Sequence, residues 1–228
     1  MTSRAAVPRL HVVTDDRVLA GDRFGERARG VIEAGRGRIA FHLRGPGATG
    51  RRLWELGIEL LPAAREHQVP LLVNDRIDLA LALGASGVHL GSRSLPPEAT
   101  RSILGPGFLL GRSAHDTTEV RELAPDVDYL HVGTVFPTPS HPGRSGHGVS
   151  GFRVLLEGAG ETPVLALGGV TPDTAGALLR TGAHGIAVVR AVWGASEPVL
   201  AVRELLAGIE AAAGAGAAEG GTRVGREA

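Results

Sequence analysis

Eight short β-rich runs alternate with helix-like segments along this chain, and that alternation limits the folds open to it. The runs are Leu10–Thr14, Ile39–Leu43, Pro70–Asn74, Gly87–Leu90, Phe108–Gly111, Asp128–Val132, Pro163–Leu167 and Gly185–Val189. Between them the apolar residues recur at helical spacing: Leu53, Leu56, Leu60, Leu61 and Ala64 in one segment; Ala175, Leu178, Leu179 and Gly182 in another; Val199, Val202, Leu205, Leu206 and Ile209 in a third. Strand and helix in strict alternation imply parallel strands joined by right-handed crossovers. Eight such units in 228 residues favour a single closed (β/α)8 TIM barrel over an open, doubly wound sheet. No glycine fingerprint of the dinucleotide-binding type opens the first unit, which also speaks against the open sheet. The expected barrel occupies residues 1–210. The Ala/Gly-rich stretch 211–228 lacks apolar anchors and is expected to be disordered.

In a parallel barrel, chemistry sits where strands end and βα loops begin. Those positions carry Thr14 and Asp15, His42 and Arg44, Asn74 and Asp75, His89 and Ser92, Ser113 and His115, Thr134, Gly168 and Gly169, and Val189 and Arg190. The strand interiors read as aliphatic, so the polar groups gather on one rim. The longest connection, Thr134–Ser150, has the size of a functional lid and includes His141, Arg144 and His147. Those histidines have no acidic partner at metal-ligand spacing, which favours a solvated or phosphate-facing loop.

Two absences narrow the chemistry. The chain has no cysteine, which excludes disulfides, thiolate nucleophiles, iron–sulfur clusters and cysteine-bound zinc. It also has no lysine: all 24 Lys+Arg residues are arginine. Schiff-base enzymes and lysine-based phosphate loops are therefore out. Basic and acidic residues balance at 24 each, which argues against a nucleic-acid surface. No apolar run reaches the roughly 20 residues needed to cross a bilayer, and the start of the chain has no apolar stretch of signal-peptide type. The expectation is a cytoplasmic protein without a membrane or nucleic-acid partner; assembly into a homo-oligomer is left open.

Among the rim residues, Gly168 and Gly169 after the seventh run, with Val188, Val189 and Arg190 at the eighth, match the place where barrels bind phosphate through backbone amides. A tight turn that needs glycine is the other reading. His115 follows the fifth run; it is either a proton shuttle or a solvated turn residue ahead of a helix begun by Asp116. His42 alternates with Phe41 and Leu43 and so faces the lumen, as a catalytic or a buried structural histidine. Arg44 on the rim suits a carboxylate or phosphate. Asp75 beside Asn74 could serve Mg²⁺, or cap the helix that follows.

Several strings resemble the thiamine phosphate synthase and thiazole tautomerase (TenI-like) superfamily. They are His11–Val12–Val13–Thr14–Asp15, Asn74–Asp75–Arg76–Ile77–Asp78, Gly87–Val88–His89–Leu90–Gly91, Gly111–Arg112–Ser113–Ala114–His115, Gly133–Thr134–Val135–Phe136–Pro137–Thr138 and Gly168–Gly169–Val170 with Gly185–Ile186–Ala187–Val188. The resemblance runs from about Leu10 to Ile209 and implies the barrel fold and a phosphorylated thiazole substrate. The synthase joins a pyrimidine diphosphate to a thiazole phosphate with Mg²⁺. Its pattern has Gln-x-Arg-x-Lys on strand 2, a second Asp after Val-His-Leu-Gly, and Thr-x-Thr-Lys after strand 6. Here those places read His42–Leu43–Arg44–Gly45–Pro46, Ser94, and Thr138–Pro139–Ser140–His141. The tautomerase branch is similar in its His-x-Arg on strand 2, its Gly-Arg-Ser-x-His, and its Gly-x-Gly-Val-Ser, here Gly146–His147–Gly148–Val149–Ser150. It moves a proton from a ring carbon to an exocyclic carbon and needs no cofactor.

The resemblance therefore implies a tautomerase, with His115 as the catalytic acid–base group. His42, Arg44, Asn74, Ser113, Thr134 and Thr138 would bind substrate. Gly168, Gly169, Val188, Val189 and Arg190 would hold the phosphate, and no metal would be required. The synthase is the alternative, with Mg²⁺ on Asp75. A non-catalytic barrel that binds thiazole phosphate and regulates is a third reading.

Overall fold

The computed structural model describes residues 6–138, 143 and 145–220. In chain order it contains β1 (Leu10–Val13), α1 (Asp16–Leu19), α2 (Phe24–Gly35), β2 (Ile39–Leu43), α3 (Gly50–Glu66), β3 (Leu71–Asn74), α4 (Ile77–Leu83), β4 (Gly87–Leu90) and α5 (Pro97–Leu104). It continues with β5 (Leu109–Ala114), α6 (Thr117–Leu123), β6 (Tyr129–Val132), α7 (Gly148–Leu156), β7 (Val164–Leu167), α8 (Pro172–Leu179), β8 (Gly185–Val188), α9 (Arg190–Trp193) and α10 (Pro198–Gly220). The strands pair in sequence order, all parallel, and β8 closes on β1. This is the (β/α)8 barrel that the alternation predicts.

Alternation along the strands sorts their side chains into two bodies. Leu10, Val12, Ile39, Phe41, Leu43, Val73, Val88, Leu110, Leu130, Val132, Val164, Ala166 and Ile186 face outward into the layer between strands and helices. The expected stripe of α3, Leu53 to Ala64, is buried in that layer. A smaller inner cluster of Ala40, Leu72, Leu109, Tyr129 and Leu165, with Val7 against it, fills the lumen floor. Glycine makes room there: a Cβ on Gly111 would lie 2.0 Å from the Tyr129 ring.

Two boundaries differ from expectation. β5 extends to Ala114 because its pairing with β6 continues through Ser113↔His131 and Ala114↔Val132. Ser113 therefore lies within the strand, not after it. The last helix passes the expected end at 210 and runs to Gly220, where its alanines keep helix propensity after the apolar stripe ends. Residues 221–228 lie outside the described residues. Among those described, no helix is long and apolar enough to cross a membrane.

Candidate active site

Loops at the C-terminal ends of the strands are held by local caps, and these caps place the rim residues. Asp116 accepts a hydrogen bond from Glu119 N at 2.9 Å, which starts α6. The Glu119 carboxylate reaches back and accepts from His115 N at 2.7 Å. The two bonds form a reciprocal cap that fixes the backbone at His115. The imidazole is fixed as well: His115 Nδ1–H donates to Gly133 O at 2.7 Å. A carbonyl only accepts, so the proton of the neutral ring sits on Nδ1 and Nε2 carries a lone pair. That is the tautomer a general base needs.

Across the rim, Thr14 ties β1 to β2. Its hydroxyl donates to Arg44 O at 2.8 Å and accepts from Arg44 N at 2.9 Å. The Arg44 backbone is thereby held at the mouth. Asn74 ends β3 nearly buried, and its Oδ1 accepts from His42 Nδ1 at 3.2 Å. Asp75 follows in the left-handed region, at φ 62°. It caps no helix; Arg76 occupies the cap position of α4. Asp75 Oδ1 instead accepts from Gly91 N at 2.7 Å and from the Ser94 hydroxyl. Ser94 thus occupies the second acidic position and spends its hydroxyl on Asp75.

Below the rim the lumen is not aliphatic. His11, His42, His89 and His131 point inward from β1, β2, β4 and β6, all at most 2% exposed. His11 Nδ1 lies 2.9 Å from His131 Nε2 and 3.0 Å from His42 Nε2. His89 bridges the Tyr129 hydroxyl, 3.1 Å away, and the Ser113 hydroxyl, 2.9 Å away. Burial is the main cause that holds His11, His89 and His131 well below the ordinary histidine range, with neighbouring histidines adding to it. Burial also lowers His42 to about 3, against the opposing effect of its bond to Asn74. The rings are neutral at physiological pH. Sequence reasoning placed His42 in the lumen but overlooked His11 and His131. The signal was the same one: each alternates with aliphatic neighbours that face outward.

On the β7 and β8 side, Gly168 and Gly169 both have positive φ, 99° and 63°. A Cβ on Gly168 would meet Thr134 at 2.7 Å, and one on Gly169 would meet Phe136 and Pro137 at 2.7–2.9 Å. The glycines therefore admit the chain after β6. Thr134, itself buried, packs on Gly168 and accepts from His147 N through its carbonyl at 3.0 Å. Val188 ends β8, Val189 is the cap residue of α9, and Arg190 begins that helix. Val189 and Arg190 line a cavity of about 290 Å³ that also has Asp15, Arg17 and Arg27 in its wall. Thr138 is half-buried just before the segment 139–142. His141 and Arg144 lie outside the described residues. The rim thus brings together His115, Ser113, Asn74 and Arg44 on one side, and the two glycines with Val189 and Arg190 on the other.

The family described as thiamine monophosphate synthase matches residues 10–192 of this chain. A thiamine-phosphate synthase of Natronomonas pharaonis is 38% identical over 208 residues, which cover 90% of this chain and 96% of the relative. Another, from Mycobacterium sp. (strain KMS), is 40% identical over 206 residues, covering 86% and 90%. Among solved structures, a thiamine phosphate pyrophosphorylase from Pyrococcus furiosus matches with a TM-score of 0.76 at 35% identity, over 90% of this chain and 96% of that one. These relatives bear the synthase name and not the tautomerase name. The preference for the tautomerase branch therefore rests on the residues of this chain alone.

Proposed function

Because the chain belongs to the thiamine monophosphate synthase family, we propose that it is an enzyme of thiamine biosynthesis acting on a phosphorylated thiazole, and that it moves a proton on that ring as a thiazole tautomerase. The observation that carries this reading is His115, held in one tautomer by Gly133 O with Nε2 left bare. In this mechanism Nε2 takes the proton from the ring carbon and returns it to the exocyclic carbon, and the ring becomes aromatic. One imidazole suffices, because the nitrogen that accepts the proton can also return it. Arg44 faces the substrate carboxylate, and the amides around Gly169 and Val189 face the phosphate.

Charge supports the same reading. A diphosphate needs several cationic contacts, and each hydrogen bond to a charged group is worth roughly 1.5–3 kcal/mol. This chain has no lysine and carries Pro46, Ser94 and His141 at three charged places of the synthase pattern. For Mg²⁺ the described part of that place offers Asp75, whose Oδ1 already accepts two hydrogen bonds. That donor set fits the ion poorly.

One observation favours a second reading, a thiamine phosphate synthase: relatives of that name are 38–40% identical over nearly the whole barrel. Two parallel assays separate the readings. In one, the thiazole carboxylate phosphate isomer is supplied with excess chelator. In the other, the pyrimidine diphosphate and thiazole phosphate are supplied with Mg²⁺. Aromatisation in the first assay and no condensation in the second supports the tautomerase. Magnesium-dependent condensation with no aromatisation replaces it with the synthase.

A further inference from the structure

We propose that the barrel lumen is a binding site for one imidazole-seeking transition-metal ion, of the Zn²⁺ class, held by His11 Nδ1, His42 Nε2 and His131 Nε2. The three nitrogens come from three separate strands, β1, β2 and β6, and all lie within 4.8 Å of one another. They converge on His11 Nδ1 at 2.9 and 3.0 Å.

Proton accounting shows why this arrangement suits a cation. A neutral imidazole has one N–H and one lone pair. With Asn74 Oδ1 accepting from His42 Nδ1, the proton of His42 is used and its Nε2 is bare. If His11 carries its proton on Nδ1, that single hydrogen must serve two acceptors, and His11 Nε2 is left as a bare, buried nitrogen. If the proton is on Nε2, two lone pairs face each other at 3.0 Å. In both cases His11 Nε2 has no partner of hydrogen-bond geometry, although the Pro8 backbone lies near it. A buried polar atom left in that state is destabilising. An ion that takes all three lone pairs removes the conflict at the point of convergence. It also makes the His42–Asn74 bond the kind of outer partner that orients a metal-bound histidine.

Dimensions and chemistry agree with the assignment. Zn–N bonds of about 2.0–2.1 Å at tetrahedral angles put ligand nitrogens about 3.3–3.4 Å apart. Ring rotations reach that spacing by opening the two contacts at 2.9 and 3.0 Å by about 0.4 Å and bringing the His42–His131 pair, within 4.8 Å, to the same separation. His89 is not a ligand, since both its nitrogens are engaged by Tyr129 and Ser113. Three imidazoles without a carboxylate select zinc, copper, nickel or cobalt over Mg²⁺ and Ca²⁺, which prefer oxygen. The ligands are neutral, so the fourth position favours hydroxide or another anion. The proposal requires neither of the thiazole readings.

The test is metal content and Co²⁺ spectroscopy on the full chain. Protein grown with added Zn²⁺ is analysed for metal; a chelator-treated sample is titrated with Co²⁺ and then Zn²⁺. The expected result is one ion per chain, with visible Co²⁺ bands of low coordination number that Zn²⁺ abolishes. His11→Phe and His131→Gln should lose the bands, while His67→Gln, at the C-terminal cap of α3 and outside the lumen, keeps them. Should both lumen variants fail to fold, imidazole nitrogen NMR of the wild type decides. Zn²⁺ should then shift His11, His42 and His131 together. Absence of stoichiometric binding, bands that survive in folded His11→Phe and His131→Gln, or unmoved lumen resonances would overturn the proposal.

Discussion

Replacing His115 by Asn separates its chemical role from its structural one. The Asn amide can occupy the place of Nδ1 and still donate to Gly133 O, the 2.7 Å bond of the wild type. The lost atom is Nε2, the only part of the ring that the proposed mechanism uses. His115 is half-buried and its backbone N keeps its bond to Glu119, so stability should change by less than about 1 kcal/mol. The rate should change far more. General acid–base groups contribute about 10² to 10⁴-fold, equivalent to about 3–5 kcal/mol of barrier. The assay is kcat and KM on the thiazole carboxylate phosphate, with deuterium uptake from D₂O at the exocyclic carbon. We expect kcat and deuterium uptake to fall together by that factor, KM to hold within a few-fold, and the melting temperature to stay put. His67→Asn, at the end of α3 on the opposite side of the barrel, should behave as wild type. Wild-type kcat in His115→Asn would refute the mechanism and make His42 the next residue to examine.

Other expectations follow from the packing and the buried charges. Arg101 donates to Asp128 at 2.7 Å, and the carboxylate is almost wholly buried. Arg101→Met should cost about 1.5–3 kcal/mol in denaturant unfolding, because it removes one charged donor from a buried carboxylate; a loss under about 0.5 kcal/mol would contradict this. Gly169→Ala should lower the melting temperature, since the new Cβ strikes Phe136 and Pro137 at a positive φ, and should raise KM for phosphorylated ligands more than for unphosphorylated ones; equal loss for both would show that the position does not serve phosphate. In metal-free protein the four lumen histidines stay neutral while the unfolded chain protonates below the ordinary value of 6.5. Their contribution to stability is therefore intact above pH 6.5 and falls below it, by about 1.4 kcal/mol per pH unit for each ring. Stability followed by circular dichroism should therefore fall as pH drops below 6.5; stability that stays flat from pH 6.5 to 5 would mean the rings are not shielded.

The barrel was readable because every signal for it is local. Period-2 runs, helical stripes such as Leu53 to Ala64 and caps such as Asp116 all lie within a few residues of one another. The rim was readable for the same reason, since a strand end is also a place in the sequence. What could not be read depends on contacts across the barrel. The tautomer of His115 is set by Gly133, 18 residues away. The meeting of His11 with His131 spans 120 residues. That Gly168 and Gly169 must be glycine is set by Thr134, Phe136 and Pro137 from another strand end, which crowd the place of a Cβ. A glycine shows that something approaches closely; only the fold shows what.

The same distinction explains why 38–40% identity to named synthases speaks for the barrel more strongly than for the chemistry of its rim. Identity over a barrel is dominated by the residues that build it, the two-sided strands and the faces of the helices. Few positions choose the chemistry. In this chain Ser94 holds Asp75 where the synthase pattern has a second acid, and no lysine is present to meet a diphosphate. Several charged contacts of roughly 1.5–3 kcal/mol each separate that pattern from this rim. The proton transfer proposed for His115 would lose none of them, because it asks only for a bare nitrogen, a clamp for one carboxylate and a seat for one phosphate.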